Sequence, residues 1–370
     1  MAFWSEFDRR MMARAIEIAG SGGGYTRANP RVGAVVCMGE RIVAEGFHER
    51  YGGLHAERNA IAEAKRRGVD LRDAVMYVTL EPCCHYGKTG PCTEAIVEAG
   101  FRRVVVGASD PNPVVNGRGL NALRQAGIRV ENGLLDGECR AINPAFNTFH
   151  EKGRPYVLLK WAQSADGFID ALRPPLTPAP WFTGNYGRLL VHRWRSECMA
   201  ILVGANTVLR DDPRLSVRAW VGPQPLRVVF DRDLSIPLSA RILDGSQPTL
   251  LFTSDTLVDS PAWGMRARIP RLELAPLGAG REWPECLLLE LYRRGVNSLL
   301  VEGGAKTIQM FTTSNLWDEA RIFIAPACLG DGVKAPAMPG QAVSRYCAPS
   351  FTLLQVENPH SAGLTPLQNG

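Results

Sequence analysis

The pattern of hydrophobic and polar positions alternates between strand-like and helix-like segments along the first 150 residues. Short apolar segments predict strands at 32–37, 41–47, 74–80, 103–107 and 129–134. Apolar positions at helical spacing predict helices at 7–20, 55–67, 93–99 and 120–126. The last three helices each end at a glycine, as helices often do. This alternation predicts a sheet covered by helices, which is a three-layer α/β/α domain.

The pattern breaks at Gly153-Arg154-Pro155 and then restarts. The predicted strands of the second half are 156–161, 199–203, 226–231, 249–253, 297–302 and 320–325, and the predicted helices are 204–210, 285–294 and 305–314. Proline-rich stretches near 174–180 and 223–225 are typical of surface loops. The chain is therefore predicted to be an α/β protein with two domains, 1–150 and 155–370.

Composition supports two folded domains and disfavours several kinds of partner. The chain has 370 residues, of which 45% are hydrophobic and 21% are charged, so it can bury a sizeable core. No stretch approaches the ~20 consecutive apolar residues of a membrane-spanning helix, so we expect no membrane partner. The net charge of +5 is spread without a basic run, and so we expect no nucleic-acid partner.

Cysteine usage and the N-terminal residues favour a cytoplasmic protein. The first residues include acidic side chains and lack the apolar core of a signal peptide, so we do not expect export. The chain has nine cysteines, which in a protein that is not exported indicate thiols and metal ligands rather than disulfides. Six of them stand alone and are expected to be small buried residues, namely Cys37, Cys139, Cys198, Cys286, Cys328 and Cys347.

A candidate metal site stands in the first half. His55 is followed by Glu57, and Cys83 and Cys92 each follow a proline. One imidazole and two thiols are the ligand count of a catalytic zinc site, which keeps a fourth position for water. Glu57 lies two residues from His55 and is predicted to move protons to and from that water. A structural zinc site is the alternative, with His85 as the fourth ligand.

The spacing of the two cysteines narrows the class of deaminase. Zinc nucleobase deaminases carry the signature H-x-E…P-C-x-x-C, and this chain matches only its first half. Eight residues separate Cys83 from Cys92 rather than two. Because neither the spacing nor the charge fits a nucleic-acid deaminase, a small-molecule substrate is favoured.

The extended loop around the cysteines resembles that of the bifunctional riboflavin-biosynthesis deaminase–reductases. The resemblance covers the segments 29–33, 46–48, 80–92 and 110–119. It implies a cytidine-deaminase-like domain over 1–150 that removes the 2-amino group of a diaminopyrimidinone carrying a ribosylamine 5′-phosphate. The polar residues that it implies for the base and the phosphate are Asn29, His48, His85, Lys88 and Asn112. The family also makes a homo-oligomer plausible.

The second half resembles the reductase domain of the same family, in the segments 160–167, 181–183, 207–218 and 301–307. The resemblance implies a dihydrofolate-reductase-like fold and hydride transfer from NADPH to the ribosyl carbonyl. The residues implied for the cofactor are Lys160, Gln163, Trp181, Thr207, Asp211, Gly304, Ala305, Lys306 and Thr307. Those implied for the substrate are Arg195, Leu215, Arg218 and Glu302, and the two arginines suit its phosphate.

The sequence departs from the family pattern at two places, and two alternative functions stay open. Cys84 stands where a small residue such as serine is common, and is expected to be a bystander beside the metal. The segment 171–180 is proline-rich where the family has a glycine-containing loop. The alternatives are a deaminase with a non-catalytic C-terminal domain and a zinc-stabilised module without catalysis.

Overall fold

The computed structural model describes residues 4–180, 182–278 and 282–364. The chain divides into two compact units, Met1–Glu151 and Lys152–Gly370. The buried hydrophobic cluster of the first unit and the two clusters of the second share no residue, so each unit has a core of its own.

The first unit is built on one sheet of five strands. The strands are β1 (Gly33–Met38), β2 (Arg41–Phe47), β3 (Val75–Leu80), β4 (Arg103–Ala108) and β5 (Arg129–Asn132). They lie in the order β2-β1-β3-β4-β5, and the pairs β3–β4 and β4–β5 are parallel. Parallel pairing leaves the carboxyl ends of β3 and β4 at one edge of the sheet, where the candidate metal loop begins.

Six helices accompany this sheet. They are α1 (Glu6–Ala19), α2 (Ala56–Arg66), α3 (Cys92–Ala99), α4 (Arg118–Gln125), α5 (Asp136–Ala141) and α6 (Pro144–Lys152). A capping box begins α1, in which the Ser5 hydroxyl accepts from the Asp8 amide and the Asp8 carboxylate accepts from the Ser5 amide, each at 3.0 Å. The sequence predicted α1 to α4, each to within two residues, but not the short helices α5 and α6.

Glycine brings α2 close to the sheet. A Cβ atom at Gly46 of β2 would lie 2.4 Å from the carbonyl oxygen of Ala56 and 2.4 Å from the amide nitrogen of Ala60. Any other residue at position 46 would therefore push the start of α2 away from the sheet. Because His55 is the N-cap of α2, Gly46 helps to set the position of a predicted metal ligand.

The second unit is built on a sheet of nine strands. Its strands are β6 (Tyr156–Gln163), β8 (Ala200–Gly204), β9 (Leu226–Phe230), β10 (Thr249–Ser254), β11 (Leu272–Leu277), β12 (Ser298–Val301), β13 (Glu319–Ile324), β15 (Ala342–Ala348) and β16 (Phe351–Glu357). Their order is β11-β10-β9-β8-β12-β6-β13-β16-β15. The pairs from β11 to β13 are parallel, and the hairpin β15–β16 joins antiparallel. Two short strands, β7 (Phe168–Asp170) and β14 (Val333–Lys334), pair separately.

The helices of the second unit are α7 (Gly184–Glu197), α8 (Ala205–Asp211), α9 (Pro261–Arg266), α10 (Trp283–Arg293) and α11 (Ala305–Thr313). The sequence did not predict α7, since two glycines and several residues of modest helix propensity weaken its helical pattern. It also did not predict the β15–β16 hairpin, whose first strand is exposed almost throughout. Segment 171–180 carries no helix or strand, as its prolines predict.

All nine cysteines are free, and not all of the isolated ones are buried. Cys328 and Cys347 are exposed and Cys286 is half-buried, so the expectation that these three are small buried residues was wrong. Cys347 belongs to the exposed strand β15, which explains its exposure. Among the described helices, none is both long enough and apolar enough to cross a membrane.

Candidate functional site

His55, Cys83 and Cys92 come together at the edge of the first sheet. The Nδ1 atom of His55 lies 3.5 Å from the Cys83 sulfur and 3.4 Å from the Cys92 sulfur. Two ligands bound at about 2.0–2.3 Å to one tetrahedral ion lie roughly 3.6 Å apart, so this spacing fits zinc. In the part of the chain that the structure describes, the metal-binding group contains these three residues and neither Cys84 nor His85. A site of three ligands with an open fourth position fits a catalytic zinc better than a structural one.

The local structure explains why these three side chains meet. Cys83 follows the carboxyl end of β3, while His55 and Cys92 stand at the amino ends of α2 and α3. The Cys92 amide donates to the Cys83 sulfur at 3.4 Å, and helix amino ends stabilise negative charge. The neighbouring Cys92 thiol lowers the pKa of Cys83 to about 4 despite burial, with a further contribution from His55. A thiolate is the form of cysteine that binds a metal.

Glu57 lies in the first turn of α2 and is almost fully buried, at 3% exposure. Burial and then the charge of Cys83 raise the pKa of its carboxyl to about 7, while the charge of His55 opposes this shift. A carboxyl group that titrates near neutrality can both accept and donate a proton. Its place beside the three ligands suits the proton transfer predicted for it.

All five residues predicted to hold the deaminase substrate line one cavity of about 330 Å³, together with His55, Glu57 and Cys83. The Nδ1–H of His48 donates to the carbonyl of Leu54 at 3.0 Å, so its Nε2 accepts from the Asn29 amide at 3.1 Å. The Lys88 ammonium lies 4.1 Å from the ring centroid of Tyr51. His85 and Asn112 complete the predicted set on the cavity wall.

Two residues that the sequence analysis missed hold the loops around this cavity. Arg58 donates from Nε to the carbonyl of Gly90 at 3.0 Å and from Nη2 to the carbonyl of Pro91 at 2.7 Å, which fixes the metal loop just before Cys92. The buried Glu81 carboxylate accepts four backbone N–H groups of the 110–120 segment, from Asp110, Gly117, Gly119 and Leu120. The sequence carries little indication of either role. Arg58 is recognisable only as the residue after Glu57, and Glu81 only as the residue before the proline that precedes Cys83.

The predicted cofactor residues lie largely at the carboxyl ends of β8 and β12 in the second unit. The amide of Gly304, the N-cap of α11, donates to the Thr207 hydroxyl at 3.0 Å. A Cβ atom at Gly204 would lie 2.7 Å from the Thr307 hydroxyl, so the turns after the two strands are in close contact. Ala305 and Lys306 open α11, and Lys306 is exposed. A glycine turn at the start of a helix suits a cofactor phosphate.

Lys160, Arg195 and Glu302 form a charged group beside these turns. Arg195 donates from Nε and Nη2 to the two Glu302 oxygens, each at 2.7 Å. Burial alone would raise the pKa of Glu302, but the Arg195 and Lys160 charges lower it to about 2. Burial lowers the pKa of Lys160, while Glu302 opposes that shift. The structure therefore brings predicted cofactor and substrate residues together.

For the remaining residues predicted in the second unit, the structure shows no side-chain hydrogen bond to the Thr207 and Gly304 turns among the described residues. Leu215 is buried and has a left-handed backbone with φ of 52°. Gln163 accepts from the Trp161 indole at 2.8 Å. Asp211, at the far end of α8, pairs with Arg173 of the proline-rich loop rather than with the turns that carry Thr207 and Gly304. Trp181 lies outside the described residues.

Family models match both halves of the chain. The model described as the RibD C-terminal domain matches residues 155–361, and that of the cytidine and deoxycytidylate deaminase zinc-binding region matches residues 5–108. The first match extends over the predicted reductase half, so a non-catalytic C-terminal domain is not favoured. The cofactors of the family, zinc and NADPH, are those that the sequence predicted.

Relatives match nearly the whole chain. The riboflavin biosynthesis protein RibD of Aquifex aeolicus (strain VF5) is 39% identical over 331 residues, covering 89% of this chain and 89% of the relative. RibD of Escherichia coli (strain K12) is 36% identical over 341 residues, covering 88% of this chain and 90% of the relative.

Solved structures agree with this assignment. A diaminohydroxyphosphoribosylaminopyrimidine deaminase/5-amino-6-(5-phosphoribosylamino)uracil reductase from Thermotoga maritima superposes with a TM-score of 0.83 at 36% identity, covering 95% of this chain and 98% of the other. A RibD structure from Acinetobacter baumannii superposes with a TM-score of 0.84 at 32% identity, covering 95% of this chain and 99% of the other. The predicted fold class, a cytidine-deaminase-like unit and a dihydrofolate-reductase-like unit, is confirmed. With both halves matched and identity of 36–39% over 88–89% of its length, the chain belongs to the RibD family of bifunctional deaminase–reductases of riboflavin biosynthesis.

Proposed function

We propose that the first unit deaminates 2,5-diamino-6-(5-phosphoribosylamino)pyrimidin-4-one and that the second unit reduces the ribosyl group of the product to ribityl. The observation that carries the proposal is the cavity in which His55, Cys83 and Glu57 meet the five predicted substrate residues. The Thermotoga maritima relative is described by the same two activities.

In the first unit, His55, Cys83 and Cys92 would hold the zinc ion. Zinc in this position would supply a Lewis acid that lowers the pKa of a water molecule from 15.7 toward about 7. Glu57 takes a proton from that water as its oxygen attacks the ring carbon bearing the 2-amino group. The same carboxyl then delivers the proton to the departing ammonia, and the proton left on the new hydroxyl moves to the adjacent ring nitrogen, so one water is consumed and a carbonyl replaces the amine.

Substrate binding in the cavity is assigned to polar groups around the reacting carbon. His48 fixes the orientation of the Asn29 amide, because it accepts one of the amide hydrogens at 3.1 Å. Asn29, His85 and Asn112 are then placed to hydrogen-bond the base. Lys88 supplies a positive charge for the phosphate, since its ammonium stands at the cavity wall beside the Tyr51 ring.

In the second unit, the Thr207 and Gly304 turns and the amino end of α11 would hold the cofactor phosphates. NADPH would supply a hydride to C1′ of the ring-opened ribosylamine, whose C=N bond becomes the CH2–NH group of the ribityl product. Lys160 and Glu302 stand beside these turns, and burial lowers the pKa of Lys160, which makes its ammonium a better proton donor to the nitrogen of the reduced C=N bond. The resemblance to the family assigns the 5′-phosphate of the substrate to Arg195 and Arg218.

The test follows ammonia release and NADPH oxidation together in the full-length protein, with Glu57→Gln as the variant. We expect Glu57→Gln to retain zinc but to release ammonia at least about 100-fold more slowly, because it cannot shuttle the proton. The same variant should oxidise NADPH at the wild-type rate when it is given the deaminated uracil. Glu98→Gln, an exposed change on α3, is the matched control.

Three results would contradict the proposal. Ammonia release near the wild-type rate in Glu57→Gln would exclude its catalytic role. No NADPH oxidation with the deaminated compound in the wild type would exclude the reductase assignment. If neither Asp211→Asn nor Arg218→Ala changes that oxidation, the mapping of the reductase site is wrong.

We also propose that the protein acts in the cytoplasm as a homo-oligomer, with no nucleic acid or membrane as partner. Nine free thiols support a reducing compartment. The exposed strand β15 at the edge of the second sheet supports assembly, because an edge strand can pair with another chain. Sedimentation of the purified protein at several concentrations would test the assembly.

A further inference from the structure

The proline-rich segment 171–180 of the second unit is tied to the end of α8 by one arginine. Only 7% of the Arg173 side chain is exposed. Its Nε donates to the Asp170 Oδ1 at 2.8 Å, its Nη1 donates to the carbonyl of Thr177, and its Nη2 donates to the Asp211 Oδ1. Asp170 ends β7, which pairs with β14, and Asp211 ends α8. The guanidinium therefore joins a strand, the segment itself and a helix.

Further bonds hold the same segment against α8. Arg210 donates from Nη1 to the carbonyl of Arg173 at 3.1 Å, and its own carbonyl accepts the Leu176 amide at 2.8 Å. Leu176 has a left-handed backbone with φ of 63°, which is unfavourable for leucine and persists because its neighbours hold it. The prolines of the segment reduce the number of alternative conformations. The segment is therefore a fixed scaffold for the Arg173 side chain.

Arg173 is fully occupied, whereas Asp211 is not. Each of the three guanidinium nitrogens of Arg173 already donates to a protein oxygen, which leaves little capacity to bind a ligand directly. The Asp211 side chain is 39% exposed, and its Oδ2 accepts no hydrogen bond from the described residues. This carboxylate therefore has one oxygen fixed by the protein and one open to a donor on a ligand.

Asp211 lies on the same face of α8 as Thr207, because residues spaced i and i+4 are neighbours on a helix. The Thr207 hydroxyl accepts from the Gly304 amide at 3.0 Å, at the turn assigned to the cofactor phosphates. Asp211 thus stands about one helical turn from a residue that contacts this turn. A carboxylate oxygen accepts hydrogen bonds from hydroxyl groups, which the ribose groups of a dinucleotide carry.

We propose that Arg173 is a positioning residue of the reductase site, which aims the Asp211 carboxylate at a ribose hydroxyl of NADPH and balances its charge. This inference rests on the proposed function of the second unit. Presetting the carboxylate lowers the entropy lost when the cofactor binds. The ion pair also offsets a negative charge that would otherwise repel the cofactor phosphates. The segment that departs from the family pattern supplies this support.

The test measures the dissociation constant of NADPH for the full-length wild type and for Arg173→Gln, by fluorescence titration without substrate. We expect about 10-fold weaker binding in Arg173→Gln, because Asp211 loses its charge partner and its fixed orientation. The titration reports on the molecules that bind, so the constant does not depend on the folded fraction. In the NADPH oxidation assay, KM for NADPH should rise by a similar factor while kcat stays within about twofold of wild type.

Three comparisons separate positioning from general support of the fold. Arg241→Gln removes an exposed arginine that pairs with the neighbouring Asp212 at 3.3 Å, and should bind NADPH as the wild type does. Arg173→Lys keeps the charge but lacks the planar fork that reaches three acceptors, so its affinity should be intermediate. The double variant Arg173→Gln/Asp211→Asn should bind NADPH no more weakly than Asp211→Asn alone, because Arg173 acts through Asp211.

Equal or tighter NADPH binding in Arg173→Gln would overturn the inference, and so would losses that add in the double variant. A fall in kcat with an unchanged dissociation constant would overturn it too. If the wild type binds NADPH but does not oxidise it with the deaminated compound, the proposed function fails, and the titrations still decide the role of Arg173. If the wild type binds no NADPH, both fail.

Discussion

At the scale of single residues, the candidate metal centre depends on side chains that do not touch the metal. Arg58 ties two carbonyls of the metal loop to the helix that carries His55, and Glu81 gathers four amides of the neighbouring segment. Such outer contacts orient ligands, and their loss weakens metal binding. The centre is therefore a property of the loops as much as of its three ligands.

We expect Arg58→Met to weaken zinc binding by about 10-fold to 100-fold, because the bonds to Gly90 and Pro91 are lost. Competition for zinc with a chromogenic chelator measures the change. Arg66→Met is the control, since Arg66 is exposed on the same helix and pairs with Glu63. Equal zinc affinity in the two variants would show that the Arg58 contacts do not support the centre.

The lowered pKa of Glu302 predicts how the stability of the second unit changes with pH. Its pKa is about 2 in the folded protein and 4.5 as the reference value, so the folded state binds its proton less readily. The ion pair thus stabilises the fold fully above pH 4.5, and this contribution, on the order of 3 kcal/mol, is lost as the pH falls toward 2.

Glu302→Gln should therefore be less stable than wild type at pH 6, and the difference should shrink as the pH is lowered. Urea unfolding at pH 6, 4 and 3 measures it. Glu282→Gln, an exposed change, should show no such trend. A difference that stays constant with pH would mean that the Glu302 pKa is not depressed by folding.

At the scale of elements, a buried ion pair joins three segments of the second unit. Arg154, just before β6, donates to both oxygens of Asp318 at 2.6 and 2.8 Å, and its Nε donates to the carbonyl of Ala362 at 2.6 Å. The Asp318 carboxylate also accepts from the Val157 amide at 2.8 Å and the Ser361 hydroxyl at 2.7 Å. The starts of β6 and β13 and the 358–362 segment are thereby held together.

We expect Asp318→Ala to destabilise the second unit by about 3–5 kcal/mol, because Arg154 would remain buried without its counter-charge. Chemical denaturation followed by tryptophan fluorescence measures this. Asp70→Ala removes an exposed pair with Arg72 and should destabilise the protein far less, because solvent screens that pair. Similar losses in the two variants would contradict the special role of the buried pair.

Element prediction succeeded where the local pattern and the tertiary environment agree. Strands such as β3 and β4 are apolar runs buried on both faces, so their sequence is strongly biased. The helix α7 has glycines at 184 and 187, and its helical state is stabilised by packing of Val191 and Trp194 into the core. Packing of that kind overrides weak propensity and cannot be read from a local window.

At the scale of the whole molecule, two separate cores carry two different sites. Zinc is expected to bind the first unit and NADPH the second, and a ligand that binds only the folded state stabilises it. We therefore expect a zinc chelator to lower the melting temperature of a transition that NADP⁺ does not raise. Differential scanning calorimetry with each addition measures the shifts. A single transition moved by both treatments would contradict separate stabilisation.

The sequence by itself determined the family, the two activities and the chemistry of the metal ligands. These follow from residue types at short spacings, such as His55 with Glu57, and from motifs that keep their order along the chain. The five residues predicted for the deaminase substrate came from the same resemblance, and the structure gathers them on one cavity. Their roles in binding remain predictions.

Only the tertiary structure decided which donors are free and which are already used. Arg188 and Arg195 are both arginines of one helix, yet one has an unpaired buried Nε and the other is committed to Glu302. Glu302 is distant in sequence and reaches Arg195 because β12 lies in the sheet beside β6 and β8. Hydrogen-bond partners across such separations depend on how the strands are ordered, and residue spacing along the chain carries no record of that order.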